Sequence, residues 1–183
     1  MRLTAFALAA FIASAPAYAQ SWQEYTYPTY SFAVSFPQEP TVETTTYLAA
    51  DGRAVEARVY SVSQDSGILK MTVADLSDSK MEENEVIDHA IKTLSQGGEI
   101  KVDIPHRISA VYGRQLSIAG ADGSHNSIAV FYYKRRLYQI EGKAMTSSGT
   151  ADAIRFQQSL IFTNDVSNRT PGGRLFETLG RLF

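Results

Sequence analysis

A chain of 183 residues is one domain's worth of sequence, and 17 basic against 19 acidic residues leave a formal net charge of −2, which gives no electrostatic reason to expect a nucleic-acid partner. There is no cysteine, so disulfides, thiol catalysis and cysteine-ligated zinc are excluded. A domain of this size buries roughly 70% of its unfolded surface and needs no staple.

The chain opens with one positive charge at Arg2, an apolar run from Leu3 to about Ala15, and the small-x-small end Ala17-Tyr18-Ala19. This pattern predicts a secretory signal peptide over residues 1–19, cleaved after Ala19, and hence an exported protein, periplasmic or secreted. The apolar run is shorter than the roughly 20 residues a membrane-spanning helix needs. No cysteine follows the small residues, so no lipid anchor is indicated.

After the Pro28 break, Phe32, Val34 and Phe36 alternate with Ala33 and Ser35, a half-buried strand by its period of two, expected to open the sheet and to end at Pro37 and Pro40. Val42 to Leu48 and Arg53 to Val62 flank Asp51-Gly52, a hairpin dipeptide, and "ILKMTVADL" follows Gly67. The period then becomes helical: Val86, Ile87, Ala90, Ile91 and Leu94 share one face. A capping box from Ser79 to Glu82 is expected to open this helix and Gly97-Gly98 to close it, with Glu82, Glu83 and Glu85 complementing its positive end.

Four further strands are expected in "EIKVDIPHRISAVY", "RQLSIAG", "SHNSIAVFYY" and "RLYQIEGKAM", with hairpin connections at Asp122-Gly123 and Lys134-Arg135-Arg136. A closing helix in "GTADAIRFQQSLIF" carries the stripe Ala153, Phe156, Leu160, with Ile154 and Ile161 beside it. Strands, a helix, strands and a helix predict a single α+β domain over residues 20–163, an antiparallel sheet of about six to eight strands with two main helices packed against it. The opening "YSFAVSFPQEP", the late "RRLYQIEGKAM" and "SGTADAIRFQQSLIF" resemble the Mog1/PsbP-like group of small domains. That resemblance implies an accessory, assembly or binding role, and it carries no transferable active site.

The residues able to do chemistry are few. His89, His106 and His125 have no metal-ligand spacing, so no metal or other cofactor is expected. Asp122, Ser124 and His125 sit together at a turn, but adjacency in sequence is not a triad and no G-x-S-x-G elbow occurs. Glu82, Glu83, Glu85 and Asp88 read as a solvated helix start, not as a cation loop. Lys134, Arg135 and Arg136 are the one concentrated positive patch: a solvated hairpin tip, or a contact for an anion or acidic partner. Asn168-Arg169-Thr170 fits a glycosylation sequon. With Tyr 10 and Phe 9 in the chain, Tyr25, Tyr27, Tyr30, Tyr132, Tyr133 and Tyr138 are expected at the edge of the core, where some could line a cleft.

Past a polar, Gly/Pro-containing linker over residues 164–173, the sequence closes with "RLFETLGRLF", residues 174–183. Leu175, Phe176, Leu179, Leu182 and Phe183 fall on one face of a short amphipathic helix, which is too short to stand alone in water. It is expected to pack on its own domain, dock to a protein partner, or lie on a membrane surface. The leading expectation for function is an exported, non-catalytic binding or accessory module; the alternative is an exported hydrolase or another enzyme.

Overall fold

The computed structural model describes residues 21–163. The expected signal peptide (1–19), linker (164–173) and amphipathic helix (174–183, with Leu175, Phe176, Leu179, Leu182 and Phe183) lie outside the described residues. In chain order the elements are β1 (Gln23–Tyr27), β2 (Phe32–Phe36), β3 (Thr41–Leu48), β4 (Ala54–Gln64), β5 (Gly67–Asp75), α1 (Glu83–Leu94), β6 (Gly98–Ile108), β7 (Val111–Gly120), β8 (His125–Tyr133), β9 (Arg136–Ala144), α2 (Gly149–Gln157) and β10 (Ile161–Phe162).

A 7-stranded sheet in the order β3-β4-β5-β9-β8-β7-β6 is antiparallel at every pairing. Its two faces are covered differently. On one face Phe32 and Phe36 of β2, Phe156 of α2 and Phe162 of β10 meet Tyr60, Met71, Phe131, Tyr138 and Ile140 of the sheet. On the other, Val86, Ile87, Ala90 and Ile91 of α1 meet Leu116, Ile128, Val130 and Leu137. Residues of alternate parity on β8 and β9 thus serve opposite cores, so these central strands read as continuous apolar runs.

The opening aromatic segment departs from expectation: β2 is the middle strand of a separate 3-stranded sheet, β1-β2-β10, and not part of the main sheet. Period two identifies a strand; it does not say which sheet takes it. Phe32 and Ala33 on successive positions are both buried, because β2 has a neighbour on each side and the main sheet beneath.

Local signals at α1 also resolve differently. Its N-cap is Glu82, whose backbone N–H donates to the Glu85 carboxylate at 3.1 Å in a reciprocal capping box. Ser79 is buried and accepts the Met81 N–H at 3.2 Å, so it holds the approach to the helix. The helix ends at Leu94, and Gly98 already belongs to β6, so Gly97-Gly98 does not close it. The expected strand "EIKVDIPHRISAVY" is cut into β6 and β7 by a turn at Ser109, which takes φ 55 without being glycine. Lys134 (φ 47) and Arg135 (φ 59) form the two-residue turn between β8 and β9, the conformation whose twist suits a hairpin. Of the closing stripe, Ala153, Phe156 and Leu160 are buried, but Leu160 lies beyond the end of α2, and Ile154 and Ile161 face outward.

Candidate functional site

The basic hairpin is built into the fold. Arg135 donates from Nε to the Ser77 carbonyl at 2.8 Å and from its guanidinium to the Ser79 carbonyl, and its own carbonyl accepts the Leu76 N–H at 2.9 Å. Arg136 lies 3.7 Å from the Asp75 carboxylate and 5.5 Å from the centre of the Tyr30 ring. Lys134 Nζ reaches the Ser31 hydroxyl at 3.4 Å and stands over Tyr133. The three cations therefore tie the β8–β9 turn to the loop before α1 and to the small sheet. Replacing Arg135 with Ala is expected to cost about 1–2 kcal/mol in urea unfolding, since two charge-assisted bonds go, whereas Lys134→Ala stays within about 0.5 kcal/mol. Equal, negligible effects would show that Arg135 does not anchor the loop.

The histidines and the serine turn are likewise engaged. His89 Nε2 meets the Leu48 carbonyl at 3.0 Å, tying α1 to the end of β3. The His106 ring lies 5.6 Å from that of Phe131, across Gly113, which stands between them in the register, and burial lowers its pKa. Asp122 accepts Lys143 Nζ at 2.6 Å and the Ser124 N–H at 3.1 Å, and these bonds hold its carboxyl well below the usual carboxylate range. Ser124 Oγ receives Asn126 Nδ2, while His125 Nε2 faces Ser117 Oγ at 3.3 Å. Asp122 is thus bonded to Ser124 and Lys143 while His125 turns to Ser117, so the three do not line up as a relay. Among the described residues no three His, Asp or Glu side chains gather as a metal site.

Among the described residues, a cleft of about 250 Å³ lies at one end of the main sheet. The Ser109–Tyr112 segment forms one wall; Tyr132 and Tyr133 at the end of β8, Glu83 at the start of α1 and Phe162 of β10 form the rest. Tyr133 and Phe162 pack at 5.0 Å between ring centres, giving a fixed aromatic floor. Tyr112, 63% exposed, is the outer lip, with the Arg107 guanidinium 5.9 Å from its ring. Next to Phe162, the last described residue, Thr163, donates its N–H to the Ser31 carbonyl at 2.9 Å, so residues 164–183 continue from beside this cleft.

Aromatic walls with one carboxylate and a few hydroxyls suit the binding of a side chain or short segment. Neither His106 nor His125 lines the cleft. Of the tyrosines expected at the core edge, Tyr132 and Tyr133 do line it. Tyr138 instead donates its hydroxyl to the Tyr30 carbonyl at 2.7 Å, and burial pushes its pKa up to about 12. Tyr112, Phe162 and Glu83 were not legible as one site, because they come from three elements that only the tertiary fold brings together. A second depression, about 440 Å³ around Arg53, Asp75 and Ser77, is polar and internally paired: Arg53 binds Asp51 at 2.7 Å and the Asp78 carbonyl at 3.1 Å.

A 7-stranded antiparallel sheet with a small three-stranded sheet and a helix on one face and a second helix on the other defines an α+β domain whose fold is like that of PsbP. The particular likeness is to the solution structure of cyanobacterial PsbP from Synechocystis sp. PCC 6803, with a TM-score of 0.53 at 13% identity, covering 81% of this chain and 96% of that one. At that identity the likeness establishes the fold. No family model and no curated protein matches the chain.

Proposed function

We propose that this protein is an exported, non-catalytic accessory module that acts by contact with a protein partner. The observation that carries this reading is the division of labour among its polar and aromatic groups. The polar residues that could do chemistry are engaged in holding the fold, while among the described residues an aromatic cleft with the exposed Tyr112 at its lip is left unfilled. The apolar residues Leu175, Phe176, Leu179, Leu182 and Phe183 of the sequence's last ten positions suit contact with the same partner, and the signal-peptide pattern of residues 1–19 supports action outside the cytoplasm. No helix among the described residues is long and apolar enough to cross a membrane.

The test is capture from the exported fraction of the native host. Wild-type protein, whose intact mass is expected to begin at Gln20, should retain a partner that the 174–183 deletion and Tyr112→Ala each lose. The deletion should leave the melting temperature nearly unchanged. A retained Met1, a partner held equally by all three proteins, or a large drop in melting temperature on deletion would overturn the reading. The enzymatic alternative rests on the Ser117–His125 contact and predicts an ester hydrolysis that Ser117→Ala abolishes.

A further inference from the structure

The main sheet has two outer strands, and they are treated in opposite ways. β6, "GEIKVDIPHRI", carries three devices that discourage strand addition: a register shift between Ile100 and Val102, Pro105 within the strand, and the charges Glu99, Lys101, Asp103 and Arg107. β3, "TVETTTYL", carries almost none of them. It has no proline, a single charge at Glu43, four β-branched threonines and Val42, and an unbroken register against β4 from Thr41 to Leu48. Seven of its eight residues are exposed, with Val42 at 48% and Leu48 at 61%, and no described strand pairs with its outer side. A long, regular, nearly uncharged edge is a template for a further strand.

Antiparallel geometry narrows what that strand can be. Along β3 only alternate residues point their N–H and C=O outward, so an incoming copy of β3 must pair residues of the same parity. A two-fold axis between copies therefore passes through a residue. With the axis at Thr45, Val42 faces the second copy's Leu48, Thr44 faces its Thr46 and Glu43 faces its Tyr47. Both exposed apolar side chains of each strand then find an apolar partner, and the two rows flanking them continue onto Tyr60 and Ala54 of β4. The two Glu43 carboxylates are offset by four residues along the strands, about 14 Å, so like charges do not meet. An axis at Thr44 leaves Leu48 without a partner, and one at Thr46 leaves Val42 without one. Neighbouring charges also agree: Arg58 of β4 lies opposite Thr44 and Glu56 opposite Thr46, so each row runs from a cation on one copy to an anion on the other.

We propose that β3 is a self-pairing edge, and that a second copy of this chain adds its β3 antiparallel across a two-fold axis at Thr45, joining the two main sheets into one. The blunted β6 confines association to this closed pair, because a β3-to-β6 contact would propagate without end. This inference is independent of the partner-binding cleft, which lies at Tyr112 and Phe162 and not on β3.

Sedimentation velocity on the chain 20–183 over a hundred-fold range of concentration tests it. Wild type should move from monomer to dimer mass as concentration rises. Thr45→Lys and Thr45→Glu, each placing like charges face to face on the axis, should remain monomeric where wild type is half dimeric, and an equal mixture of the two should regain the dimer. Unchanged circular dichroism and melting of this exposed site would show that the variants are folded. A wild type monomeric throughout, single variants that still dimerise, or a mixture no better than either alone would each overturn the proposal. Partner capture through Tyr112 would be unaffected in every case.

Discussion

Replacing Gly142 with Val is expected to lower stability by about 3 kcal/mol or more, which for a domain of this size moves the melting temperature down by roughly 10 °C. A β-carbon at this position would lie 2.5 Å from the Ala153 carbonyl oxygen and 2.6 Å from its Cα. These are backbone atoms of α2 and cannot swing aside. Gly142 cannot retreat either, since β9 pairs it with Leu69 of β5 on one side and Ser127 of β8 on the other. The helix must lift, and with it the contacts of Phe156 beneath. Overpacking usually costs 1–3 kcal/mol when side chains can adjust, and a clash between two fixed backbones belongs at the upper end or beyond. Gly97→Ala is the control: no atom lies within 4 Å of a β-carbon there, so it should melt like wild type. Urea unfolding compares the three, and a Gly142→Val protein as stable as wild type would mean that α2 does not rest on β9 as described.

That glycine shows how far the sequence can be read. "YQIEGKAM" is legible as a strand from its neighbours, and an interior glycine hints at a close approach, but nothing local says that a helix arrives there. The Asp51-Gly52 hairpin, with Gly52 at φ 81, and the apolar face of α1 were legible because both signals are carried within a few residues. Ser109 was not, since a turn placed on a serine at positive φ leaves no glycine to mark it. The second sheet was missed for a related reason: Phe32, Val34 and Phe36 say that something apolar lies beneath β2, and the same alternation fits a strand within the main sheet or one stacked on it. Of the tyrosines expected at the core edge, Tyr132 and Tyr133 line the cleft, whereas the sequence shows Lys134, Arg135 and Arg136 only as a charged hairpin tip because their partners at Ser31, Ser77 and Asp75 lie far away in sequence.

Phe156→Ala is expected to be among the most damaging truncations, at about 3–5 kcal/mol, out of a total that for domains generally lies between about 5 and 15 kcal/mol. The side chain is fully buried and its ring packs 4.8 Å from that of Phe36, so it joins α2 to the middle strand of the small sheet over the main one. Removing it costs the transfer of a phenyl group and leaves a void bounded by three elements. None of them can collapse inward freely: β2 is held between β1 and β10, and α2 already touches Gly142. Phe156→Leu refills most of the volume and should recover more than half of the loss. The urea midpoint should fall with an unchanged slope, the sign of lost stability in a chain that still unfolds as one unit. Tyr112→Ala, by contrast, should stay within about 0.5 kcal/mol, because that ring is 63% exposed and completes no core. A comparable loss at both positions would mean that the cleft's lip holds the fold, and an aromatic kept at the surface without a structural task would no longer be there to explain.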